Sequence, residues 1–137
     1  MELTLLDKSN YLKGLLIIAR KDNQLAESEK NMLKSIAQRL GFATDFYEET
    51  IKHLLLNKHI GDEPIKFSHE KIAESFILDG LKLALSDDKI TDIEFSWIKN
   101  IAPENGISED HFEKLLKKSK EASNQILNSE YALFSII

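Results

Sequence analysis

The chain has 137 residues, enough for one hydrophobic core and too few for two independent domains. Its net charge of −5 argues against a nucleic-acid partner, because neutralising phosphates requires a basic surface and the 18 basic residues are outnumbered by 23 acidic ones. The lack of cysteine excludes disulfides and thiolate metal sites, which agrees with a cytoplasmic location. No apolar run is long enough to span a bilayer, so direct membrane insertion is not expected.

Apolar residues recur at intervals of three and four along most of the chain, which predicts helices and no strands. The scarcity of proline and glycine, at two and five residues, favours the same fold. Six helices are expected, with these approximate bounds or starting points in chain order: 8–20, 27–40, from 44, from 68, from 91 and from 108. Gly41 is the expected C-terminal stop of the second helix, and Pro103 is expected to break or bend the end of the fifth.

A seventh helix is expected over about 124–137, where aliphatic and aromatic residues are frequent. An apolar terminal helix of this kind either packs over its own bundle or docks on another protein chain. The sequence leaves these two alternatives open.

The chain repeats itself at a constant offset of 65 residues. Residues 16–52 and 81–117 match at eleven positions without a gap, and a self-match at fixed period is typical of a duplicated structural unit. We therefore predict a single domain over 1–137, an all-α compact helical bundle of about seven helices built from two tandem three-helix repeats. Its parts are repeat 1 at about 8–57, a connector at 58–67, repeat 2 at about 68–122, and the C-terminal helix.

The junction between the first two helices of each repeat is acidic. Each junction holds an aspartate, an aliphatic residue three positions later, and a glutamate four positions after that: Asp22, Leu25 and Glu29, then Asp87, Ile90 and Glu94. Asp88 and Asp92 add two further carboxylates to the second junction. Dense hard oxygen ligands can hold calcium or magnesium, so the candidate metal ligands are as follows: Asp22, Glu29, Asp87, Asp88, Asp92 and Glu94.

Helix caps and turns are the competing interpretation of the same residues. Thr91 to Glu94 has the pattern of a capping box, in which the threonine and the glutamate satisfy free backbone amides at a helix start. Asp22 and Asp87 can close a turn by accepting from nearby amides. This interpretation needs no metal ion.

The repeated junction resembles the TerB-like domain of tellurite-resistance proteins. The family pattern is an Ala-Asp-Gly stretch, an acidic residue, an aliphatic residue, a few polar residues and a glutamate that opens a helix. Asn23 and Asp88 replace the usual glycine here, and Lys21 and Ser86 replace the preceding alanine. The resemblance covers about residues 8–120 and implies a helical bundle with metal-binding acidic junctions, associated with tellurite and general stress resistance, and no established catalytic activity.

No catalytic or phosphate-binding motif is present, so an enzyme is not expected. The four histidines have no spacing typical of a metal motif and are not expected to be ligands: His53, His59, His69 and His111. The sequence thus favours a non-catalytic TerB-like binding module with a protein partner and a divalent cation (Ca²⁺ or Mg²⁺) at the acidic junctions. The alternative is a purely structural protein–protein adaptor without metal.

Overall fold

The structure is a computed structural model that describes residues 2–19, 27–56, 64–85, 92–123 and 132–136. Within these ranges the chain is all-helical and contains no strand, as the periodicity predicted. Six helices have 13 to 16 residues each: α1 (Leu5–Ala19), α2 (Glu27–Arg39), α3 (Thr44–Leu56), α4 (Glu70–Leu85), α5 (Asp92–Glu104) and α6 (Glu109–Ser123). A single helical turn, α7 (Leu133–Ile136), follows.

The expected total of about seven helices is wrong for the described part of the chain, which has six full helices. The seventh, predicted over about 124–137, is a turn of four residues. Its leading residue, Leu133, has no exposed surface, and the turn packs against α4. The described part of the C-terminal segment therefore packs on its own chain. None of the helices in the described ranges is both long and apolar enough to cross a bilayer.

The helices of the first half start 65 residues before those of the second half. The pairs are α1 with α4, α2 with α5, and α3 with α6. The ends of α2 and α5 also have the same cap, with Gly41 at a φ of 90° and Gly106 at 75°. In each cap the amide that follows the glycine donates to a carbonyl five residues earlier: Phe42 to Ala37 (3.0 Å) and Ile107 to Ala102 (2.9 Å).

Helix α4 is the centre of the fold, because it contacts α1, α5, α6 and α7, while α1 also contacts α2 and α3. One hydrophobic cluster extends through both halves of the chain. Its largest members without exposed surface lie on α1, α2, α4 and α5: Tyr11, Leu15, Leu16, Leu33, Ile36, Ile72, Phe76, Ile77, Leu81 and Ile98. Both halves thus share one core.

Two glycines allow α1 and α4 to approach closely. A Cβ atom on Gly14 of α1 would lie 2.5 Å from the Phe76 ring, and one on Gly80 of α4 would lie 2.8 Å from Cδ1 of Ile18. The Phe76 ring is itself held at an angle against the rings of Tyr11 and Phe67, with centroids 5.3 Å apart in both cases. Space for Phe76 therefore depends on the missing side chain at position 14.

Asp7 ties the start of α1 to the chain just before α4. Its carboxylate accepts from the Thr4 amide (3.1 Å), the Ser68 amide (2.9 Å) and the Ser68 hydroxyl (2.5 Å). Burial acts to raise the pKa of Asp7, but the hydrogen bonds from Ser68 and Thr4 outweigh it and lower the pKa. The buried carboxylate fixes where α4 begins.

Asn105 anchors the same connector from the end of α5. Its side-chain carbonyl accepts from the Phe67 amide (2.7 Å), and its side-chain amide donates to the carbonyls of Ile65 and Ile101 (2.8 Å each). One amide side chain thus satisfies three backbone groups on two segments. Together with Asp7 it sets the approach of the chain to the first turn of α4.

We expect Gly14→Ala to lower the free energy of unfolding by about 1–2 kcal/mol, because overpacking against the confined Phe76 ring exceeds the gain in helix propensity. Gly80→Ala is the matched control, since only a terminal methyl of Ile18 must move, and its change should stay within about 1 kcal/mol. Urea unfolding of both variants measures the difference. Equal effects of the two alanines would contradict the assigned role of Gly14.

Candidate metal centre

Three side chains that can bind metal converge where α4 packs against α6. Glu70 and Glu74 lie four residues apart in the first two turns of α4, a spacing that places them on one face of the helix. His111 is the third residue of α6. One ligand atom from each of the three lies within 4.8 Å of the other two.

The helix caps and buried neighbours hold these side chains in place. The hydroxyl of Ser108 accepts from the His111 amide (3.1 Å), which caps α6 as the sequence indicated. Phe112, next to His111, is buried and fixes the rotation of α6, as Ile72 and Phe76 do for α4. The three ligands therefore project from a packed interface between two helices.

Nε2 of His111 lies 3.0 Å from Oε1 of Glu74, with the two side chains 40% and 29% exposed. In the absence of an ion this is a hydrogen bond, which becomes an ion pair when the imidazole is protonated. Pairs at this exposure contribute little to stability, because water screens them and the side chains lose freedom. The pair by itself gives no strong reason for the third member, Glu70, to lie within reach.

One imidazole nitrogen and two carboxylates form a donor set that suits zinc, manganese or iron(II) better than calcium, which requires six to eight oxygen ligands. Ligand atoms around a tetrahedral zinc ion lie roughly 3.4 Å apart, given bond lengths near 2.1 Å. Rotation of these partly exposed side chains by about 1 Å would bring the three atoms to that spacing. The residues present fit an open site with three protein ligands.

The predicted junction residues remain untested by the structure. Asp22, Asp87 and Asp88 lie outside the described residues. The backbone of Glu29 lies in α2 and those of Asp92 and Glu94 in α5, but their side chains are also outside the described part. Calcium or magnesium at these junctions stays a prediction.

Sequence reasoning did not find the cluster at Glu70, Glu74 and His111. His111 is 37 residues from the nearer glutamate, and no spacing rule joins ligands that meet only when α6 packs on α4. The visible signal was the pair of glutamates four residues apart, which is common on solvated helix faces. Knowledge of the α4–α6 contact was needed to add the histidine.

Comparisons of the chain with protein-family models, with curated proteins and with solved structures find no match. The resemblance to TerB-like domains therefore rests on the junction motif alone.

A cleft of about 280 Å³ lies between the end of α5 and the start of α6. Its apolar lining includes Pro103, Ile107 and Phe112, and its charged lining residues are Lys99 and Glu109. The Lys99 Nζ atom lies 3.9 Å from the Glu109 carboxylate. The two charges offset each other, so the cleft does not favour a ligand of either sign.

A second polar cluster is buried between α1, α4 and α7. The Tyr11 hydroxyl donates to Oδ2 of Asp79 (2.5 Å) and lies 2.9 Å from the Ser75 hydroxyl. The Asp79 carboxylate also accepts from the amides of Ala132 (2.7 Å) and Leu133 (3.1 Å). These four bonds connect the first helix, the central helix and the C-terminal turn.

Burial raises the pKa of Asp79 to about 6 from an ordinary value of 3.8, although the hydrogen bonds from Tyr11, Ala132 and Leu133 and the charge of Lys82 act in the opposite direction. Burial and the charge of Asp79 likewise raise the pKa of Tyr11 well above its ordinary value. Asp79 thus titrates within reach of physiological pH, and the tyrosine stays protonated there.

We expect stability to fall as pH rises from 5 to 7.5, because the folded protein retains a proton on Asp79 that the unfolded chain has already lost. This contribution is fully present below about pH 4 and is lost as pH passes 6. Asp79→Asn removes it. The wild type should therefore lose about 1–1.5 kcal/mol more than the variant between pH 5 and 7.5.

Urea unfolding of both proteins at the two pH values measures this difference, and titration of the histidines cancels because both proteins contain them. A wild-type-to-variant difference that does not change with pH would show that Asp79 keeps an ordinary pKa.

Proposed function

We propose that this protein is a non-catalytic, TerB-like binding module that requires a divalent cation for full stability and acts through a protein partner. The observation that carries the proposal is the convergence of Glu70, Glu74 and His111 on one point from two helices. A cation bound there would join the first and third helices of the second half. The geometry favours an ion of the zinc or manganese class at this point.

A duplicated architecture is part of the proposal. Helices of the two halves start 65 residues apart, and α2 and α5 end with the same glycine cap, which supports two tandem three-helix repeats. The residue in α1 that corresponds to Glu74 is Ser9, and α3 has Phe46 in place of His111. The zinc-class site is therefore proposed for the second repeat alone.

The acidic junctions remain part of the proposal as a separate site of different chemistry. Carboxylates at Asp87, Asp88 and Glu94 would supply oxygen ligands to calcium or magnesium, and Asp22 with Glu29 would do so in the first repeat. The role in tellurite or general stress resistance and the cytoplasmic location follow from the sequence-based resemblance and composition.

A metal-free structural adaptor is the second candidate. Leu5 and Leu6, adjacent in the first turn of α1, are 73% and 68% exposed, and Phe46 at the start of α3 is 54% exposed. Large apolar side chains at this exposure can contact another protein. In this alternative, His111 and Glu74 form an ordinary surface pair.

Thermal unfolding of chelator-treated protein with added Zn²⁺, Mn²⁺, Ca²⁺ or Mg²⁺ distinguishes the two functions. At a zinc concentration about 100-fold above the dissociation constant, we expect stabilisation by about 2.7 kcal/mol, or a rise in Tm of roughly 10 °C. Glu74→Gln and His111→Ala should each abolish most of the rise. Glu113→Gln, an exposed glutamate on the same helix, and His53→Ala on α3 are the matched controls and should retain it.

A rise in Tm with calcium that survives His111→Ala but is lost in the double variant Asp87→Asn, Glu94→Gln would assign the cation to the junctions instead. An unchanged Tm with every ion up to millimolar concentration would reject a cation-linked module and favour the adaptor.

A further inference from the structure

The C-terminal turn occupies a binding surface that the rest of the molecule forms. Leu133 has no exposed surface, and Ile136 packs partly buried against the main core. The amides of Ala132 and Leu133 both donate to the carboxylate of Asp79 on α4. The turn is thus held by two backbone hydrogen bonds and two aliphatic side chains.

Helix α7 cannot persist without this surface. It has four residues, whereas isolated helices shorter than about 12 residues are marginal in water. Its conformation therefore depends on its contacts with α4. The contacts are local, and they involve backbone amides that any non-proline residue could supply.

The acceptor for these amides is set by the rest of the molecule. The Tyr11 hydroxyl, itself beside Ser75, binds one oxygen of Asp79 from the side of α1. Tyr11 and Ser75 lie in the most closely packed helix pair of the fold. The carboxylate is therefore oriented by α1 and α4 together, so the surface has a fixed acceptor beside an apolar pocket for one leucine.

We propose that the surface of α4 around Asp79 is a recognition site for a short aliphatic peptide segment of a partner protein, and that the chain's own C-terminal segment occupies it as an intramolecular competitor. The ligand is an uncharged segment with two free successive amides, the second on a leucine-like residue that fills the Leu133 pocket. It would add one turn of helix at the position of α7.

The competitor has an advantage that the ligand must overcome. Eight residues, 124–131, connect α6 to the turn, and a tether of this length gives an effective concentration on the order of millimolar. A free peptide of equal intrinsic affinity would therefore bind the wild type poorly. Disabling the chain's own segment should uncover the site, independently of any cation.

The test uses the full chain with Leu133→Asp, which prevents its own segment from docking. The probe is a synthetic peptide with the sequence of residues 129–137, labelled at its N-terminus, and binding is followed by fluorescence anisotropy with chelator present. We expect the variant to bind the peptide at least about tenfold more tightly than the wild type does. Leu6→Asp, which changes an exposed leucine, is the matched control and should bind like the wild type.

The hydrogen bonds to Asp79 are tested from the peptide side, so that the protein fold is unchanged. A peptide N-methylated at the positions of Ala132 and Leu133 cannot donate either amide, and it should lose at least about tenfold in affinity for the Leu133→Asp protein. Circular dichroism confirms that this protein keeps its helices. Equal binding by the wild type and the Leu133→Asp protein, or by the methylated and unmethylated peptides, would overturn the proposal and leave α7 as a structural cap.

Discussion

The close packing of α1 against α4 is the constraint on which the other features depend. Gly14 leaves room for the Phe76 ring, and that ring brings Tyr11 to the side of α4 where Asp79 lies. Because α4 also contacts α5, α6 and α7, its position fixes the positions of the remaining helices of the second half. Both the glutamate pair and the buried aspartate are carried by this one helix, so their geometry follows from the same packing.

Buried polar side chains hold the segments that lack a hydrophobic face of their own. Asp7 binds the residue before α4, Asn105 binds the connector at residues 65–67, and Asp79 binds the start of α7. Each replaces backbone hydrogen bonds that a short irregular segment cannot make within itself. The desolvation of Asp79 opposes its ionised form, whereas the bonds to Asp7 more than offset its burial. The second carboxylate is thus a stable anchor, and the first is one whose strength varies with pH.

Local features of the fold could be predicted from the sequence. The start of α2, the glycine that ends it and the serine that caps α6 lie within a few residues of the periodic pattern that they interrupt. Contacts between distant parts could not, because Asp79 and Leu133 are 54 residues apart and His111 is 37 residues from Glu74. A buried aspartate in mid-helix has no sequence pattern that distinguishes it from an exposed one. The C-terminal helix was predicted too long for a related reason, since its apolar residues indicate burial without indicating how many of them are helical.

The two proposed sites would influence each other through charge. Glu74 and Asp79 are five residues apart on α4, or about 7.5 Å along the helix axis. A divalent cation at Glu70 and Glu74 would replace local negative charge with positive charge and would therefore lower the pKa of Asp79. That pKa, about 6, is close enough to neutrality for a modest shift to change the ionised fraction. An ionised carboxylate accepts stronger hydrogen bonds from the amides of Ala132 and Leu133, so cation binding would favour the docked C-terminal turn. By reciprocity, docking of a segment at Asp79 would favour the cation, and α4 would connect the two events without any movement of its backbone.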